Sequence, residues 1–93
     1  MAKFNRGETI IFSVTVTNAS GALINPSTSM TITIADKSGT IAVNNQPMIW
    51  DSLGKYHYDW QTNDNHASRD YTVYFKAIDS GRTSIQQTTT ELV

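Results

Sequence analysis

Hydrophobic and polar residues alternate with period two along most of the chain. From Thr9 to Thr17, Ile10, Phe12, Val14 and Val16 fall on one side of an extended strand, and Ser13, Thr15 and Thr17 fall on the other. A second strand over Ser29–Ala35 sets Met30, Ile32 and Ile34 against Thr31 and Thr33, and a short third carries Ile41 and Val43. The fourth, Met48–Trp50, follows Pro47, which cannot donate to a ladder and so favours a strand start or a sheet edge. The fifth opens on the turn glycine Gly54, with Tyr56, Tyr58 and Trp60 on the core side and Lys55, His57, Asp59 and Gln61 on the water side. The sixth, Tyr71–Ile78, points Tyr71, Val73, Phe75 and Ala77 inward and Thr72, Tyr74 and Lys76 outward. In the seventh, Thr83–Val93, Ile85 and Leu92 have opposite parity, so a bulge or bend is expected between them.

Between these runs stand clusters of Asn, Asp, Ser and Gly: Asn18–Gly21, Asn25–Ser27, Asp36–Gly39, Asn44–Pro47, Asp51–Gly54, Asn63–Asn65 and Asp79–Gly81. Asn and Asp hydrogen-bond their own following backbone and glycine supplies positive φ, so each cluster is expected to reverse the chain. No segment carries a helical stripe, and Ser, Thr and β-branched residues fill the intervals. The expected fold is all-β: a single antiparallel β-sandwich of about seven strands, one domain over residues 1–93.

Composition narrows the function classes. The formal net charge is −1 and the basic residues are scattered singly, which leaves no field for nucleic acid; no nucleic-acid partner is expected. With no cysteine, disulfides, thiolate catalysis and Cys-ligated zinc are excluded. The first residues lack the apolar stretch of a signal peptide, and no run reaches the ~20 apolar residues of a spanning helix. The sequence therefore suggests no membrane insertion, and a chain that works where it is made or one excised from a longer exported protein.

Four segments, Arg6–Val14, Met30–Asp36 followed by Gly39, Gly54–Trp60 and Tyr71–Ala77, together resemble the immunoglobulin-like sandwiches of prokaryotic surface proteins, macroglobulin-type repeats and short phage proteins. The resemblance implies an immunoglobulin-like fold and a structural, adhesive or decorating role at a cell surface or in a virion. Tyr71, two residues before Val73, stands where such domains place the tyrosine of their corner, while both cysteines of antibody-type domains are missing. Trp60 lies too near Tyr71 to be their third-strand tryptophan.

Side chains that could carry chemistry are sparse. His57 and Asp59 share a strand face, and Asp64 and His66 follow, a ligand set too loose to specify a metal; no cofactor or metal is expected. The oxygen-rich loop of Asn63, Asp64 and Asn65 could hold a stabilising calcium, though it lacks an EF-hand's glycine and glutamate. No nucleophile elbow or phosphate loop is present, so the chain is read as no enzyme. An outward Trp50 or Tyr74 could stack on a sugar, which makes carbohydrate the alternative ligand. The leading expectation is a protein partner or self-association through loops or through an exposed edge made by the polar last strand, with Gln86 and Gln87 at its centre.

Overall fold

The computed structural model describes residues 2–63 and 69–93, and every regular element among them is a strand. There are eight: β1 (Ala2–Phe4), β2 (Thr9–Thr15), β3 (Ser29–Asp36), β4 (Ile41–Pro47), β5 (Ile49–Ser52), β6 (Lys55–Gln61), β7 (Asp70–Asp79) and β8 (Arg82–Leu92). They form a five-stranded sheet ordered β1-β8-β7-β3-β4 and a three-stranded sheet ordered β2-β6-β5, which stack as a two-layer all-β sandwich.

Alternation decides which side chains meet. Ile10 from β2 and Trp60 from β6 face Met30, Ile32 and Ile34 of β3 and Tyr71, Val73 and Phe75 of β7, all buried. Aromatic rings tie the layers together. Phe12 lies 6.3 Å from Trp60 and 6.4 Å from Phe75, and Trp60 meets Tyr71 edge to face at 5.2 Å. Phe12 and Trp60 belong to one sheet and Tyr71 and Phe75 to the other, and burying each side chain of this size stabilises the fold by about 1.5–3 kcal/mol.

Three expectations need correction. The strand count is eight rather than seven, because β1 adds a short strand that pairs in parallel with Thr90–Leu92 of β8; the sandwich is not wholly antiparallel. Charged and polar neighbours, Lys3, Asn5 and Arg6, hide that strand in the sequence. The expected bulge in the last strand is absent: the β7–β8 register runs unbroken from Asp70↔Glu91 to Asp79↔Arg82. Leu92 therefore points into the core and Ile85 points out, 63% exposed. Finally, Asn44–Pro47 is no turn but the end of β4. The extra residues are absorbed by register shifts against β3, with Asn45 at φ 50° and its N–H donating to Thr33 Oγ1. Pro47 thus closes a strand that lies at the sheet edge.

Thr62, just beyond β6, is buried and fixes the turn between β1 and β2. Its hydroxyl accepts from the Gly7 N–H and donates to the Glu8 carbonyl. The chain thereby reverses between a strand on one sheet and a strand on the other.

Candidate functional site

Two features of the strand order define the most distinctive surface. β8 pairs with β7 from Arg82 to Glu91, but on its other side, among the described residues, β1 covers only Thr90–Leu92. Arg82–Thr89 therefore form an open edge, and all of these residues are exposed. In such an edge every second residue turns its N–H and C=O away from the paired neighbour. β2 is likewise paired on one side only, with β6. The edge of β8 carries none of the usual guards: from Thr83 to Thr90 there is no charge, no proline and no bulge.

Between β2 and β8 the sandwich is open. One cavity, of about 540 Å³, is lined by Val14, Val16, Met30, Phe75, Ala77 and Gln86 among others. A second, of about 580 Å³, shares Val14, Thr15, Phe75 and Gln86 with it and extends to Phe12 and Thr88. Together they make a trough along the seam, with Phe12, Val14, Val16 and Ala77 only partly buried on its floor. The inward positions of β8 at this level are Ser84, Gln86 and Thr88, opposite Ala77, Phe75 and Val73. These polar side chains form its lip and leave the apolar floor uncapped.

The residues singled out in the sequence do not converge. Gln86 lies on the trough side of the edge, whereas Gln87 points to the opposite face, directly across from the half-buried Tyr74. Trp50 sits on the other sheet, on the edge strand β5, 57% exposed. Its indole Nε1 donates to Asn25 Oδ1 at 3.1 Å, and the same oxygen accepts from the Gly54 N–H. Asn63 is exposed beyond the end of β6, and Asp64 and Asn65, with His66, lie outside the described residues. The trough itself escaped sequence reasoning; its only local sign is the uncharged run Thr83–Thr90.

The outer face of the three-stranded sheet carries a polar row. His57 Nδ1 lies 2.6 Å from Asp51 Oδ1, and Nε2 lies 3.9 Å from Asp59 Oδ1. An ionised carboxylate can only accept, so His57 donates from Nδ1 to Asp51. Ser13 stands opposite His57 in the ladder. Among the described residues no group of three or more histidine or acidic side chains is arranged to hold a metal ion.

Two carboxylates are held by turns. Asp36 Oδ1 accepts from the Ser38 hydroxyl at 2.7 Å and from the N–H groups of Ser38 and Thr40. The Ser38 hydroxyl above all, with those N–H groups and the Arg69 guanidinium, keeps the carboxyl below its ordinary pKa against an opposing desolvation. Asp79 is lowered in the same way by the Ser27 N–H and hydroxyl, again against desolvation, with Arg82 adding attraction.

Comparison with family models, with curated proteins and with solved structures gives no match. The functional reading rests on the geometry alone.

Proposed function

We propose that the chain is a non-enzymatic interaction module with an immunoglobulin-like strand arrangement, and that it engages a protein partner through the open edge of β8. The single observation that carries this reading is the run Arg82–Thr89, hydrogen-bonded on one side only and free of charge from Thr83 onward. An exposed backbone row of this kind accepts another strand by main-chain hydrogen bonds, with side-chain contacts supplying selectivity.

The strand order supports the immunoglobulin-like part. On that reading β2, β6 and β5 would correspond to strands B, E and D, and β3, β7 and β8 to C, F and G, with β4 beside β3 as an added C′ strand. Tyr71 is the second residue of β7, the F position, which agrees with a tyrosine corner. Among the described residues no strand A lies beside β2; β1 lies on β8 instead.

Lysines on an edge repel an incoming strand without touching the core. The double variant Ile85→Lys, Gln87→Lys changes two exposed, outward side chains. It should keep the β circular-dichroism spectrum and reduce by about tenfold or more the recovery of a partner from source-cell extract. Association equal to that of the parent protein would defeat edge pairing.

Trp50 favours a second reading, recognition of carbohydrate. Its ring is held by Asn25 while more than half of the residue stays open to solvent, a pre-ordered surface for stacking on a sugar. A glycan array without a Trp50-dependent signal removes it.

A further inference from the structure

The trough between β2 and β8 has the form of a vacant strand position, which identifies the chemistry of what would fill it. We infer that it takes an extended segment of another protein, about seven residues long and uncharged, whose alternate apolar side chains insert over Phe12, Val14 and Phe75 while its backbone pairs in parallel with Thr83–Thr89 of β8. The inference rests on the edge-pairing reading above and specifies its ligand.

Three observations fix this occupant. First, two backbone edges bound the trough, β2 on one sheet and Arg82–Thr89 on the other, so the natural occupant presents an extended backbone. Second, β1 already occupies the continuation of the same line. It runs in parallel with β8 in the register Ala2↔Thr90, Lys3↔Glu91 and Phe4↔Leu92, and among the described residues nothing pairs with this side of β8 before Thr90. A strand in line with β1 is thus parallel to β8, and because the chain reverses at the Asn5–Glu8 turn before entering β2, it runs against β2. Third, charge and shape select its side chains. Neither Thr9–Thr17 nor Thr83–Thr90 contains a charged residue, and the floor between them is apolar and half covered. Asp79 and Arg82 line the first cavity, but the second, over Phe12 and Phe75, has no charged side chain on its lining, so a lysine or glutamate carried in there would lose its water with no opposite charge to meet it, whereas β-branched apolar side chains would complete the cover. Successive residues of a strand point to opposite faces, so only every second position need be apolar.

A second copy of the chain is a poorer occupant. Its nearest candidate segment, the N-terminal Ala2–Glu8, brings Lys3, Arg6 and Glu8.

The test uses the full chain, isotope-labelled for NMR, and a capped heptapeptide alternating Thr and Val with a Lys-Lys tail for solubility. A Thr-Ser peptide of equal length keeps the backbone donors but has no apolar side chain larger than a methyl group. With the Thr-Val peptide we expect shifts in the amides of Thr83–Thr89 together with the methyl groups of Val14, Val16, Met30 and Ala77. Gln86→Lys and Thr88→Lys, exposed positions on the lip, should each weaken binding by about tenfold or more. A spin label at the peptide's C-terminus should broaden Thr88 and Thr89 rather than Thr83.

Amide shifts of equal size with both peptides and silent methyl groups would overturn the insertion and leave edge pairing standing. No shift in the Thr83–Thr89 amides with either peptide would overturn the inference, and unaltered association of the two-lysine edge variant is what overturns the reading beneath it. Broadening at Thr83 would overturn the parallel orientation, and a dimer of the protein alone with the same amides protected would hand the position to a second copy.

Discussion

At the scale of single residues, Gly54 carries the most constraint. It is buried at φ 70°, its carbonyl accepts from the Val16 N–H, and its own N–H is held by Asn25. A β-carbon built there would stand 2.8 Å from the Val16 carbonyl oxygen and 3.1 Å from Leu23 Cβ. Positive φ alone costs a residue with a side chain about 1–2 kcal/mol, and the backbone contact cannot be relieved by turning a side chain. Gly54→Ala should therefore lower stability by at least about 2 kcal/mol in urea unfolding; a shift under ~0.5 kcal/mol would contradict the tight approach of the β5–β6 turn to the end of β2. Gly39, at a similar φ of 94°, has nothing within 4 Å of its added β-carbon, so only the conformational part applies there. Both glycines are visible as turn signals in the sequence. That one is pressed against Val16 and the other is free depends on contacts between distant segments.

At the scale of elements, turns make the fold sensitive to acid. Asp36 organises the β3–β4 turn and Asp79 ties the end of β7 to the Ser27 segment, and both carboxyls are lowered in the folded protein. A group whose folded pKa lies below its unfolded value stabilises the fold above the unfolded value and loses that contribution as the pH falls through the folded one. Unfolding should become easier on acidification below the ordinary carboxylate range, and the double variant Asp36→Asn, Asp79→Asn should show a shallower decline. Parallel pH–stability curves for the two proteins would contradict this assignment. Strands were legible to the extent that alternation is local. Met30, Ile32 and Ile34 of β3 and Tyr71, Val73 and Phe75 of β7 point into the core as their spacing predicts. The polar strands were harder. β1 is three residues long and lives by its partner, Asn44 and Asn45 look like a turn but form an irregular strand, and Ile85 looks like core although its parity sends it to solvent. In each case tertiary pairing outweighed the local signal.

At the scale of the whole molecule, the open side follows from pairing order, which a single sequence does not display. The two sheets share an aromatic core at their centre, around Phe12, Trp60, Tyr71 and Phe75, and part along β2 and β8, where β1 is too short to close the gap. The last strand can be picked out from its composition as a candidate edge, but the trough beside it needs β2, β7 and β8 brought together from opposite ends of the chain. Gln86 and Gln87 were legible as members of that edge; their division between its two faces follows from the unbroken β7–β8 register.

Native-state amide hydrogen exchange measures that arrangement directly. The open edge predicts a two-residue rhythm along Thr83–Thr89, with amides bonded to β7 protected and those between them exchanging near the free-chain rate, while Ile32, Ile34 and Val73 in the interior strands exchange slowly. Uniform protection of Thr83–Thr89 in the isolated protein would contradict it.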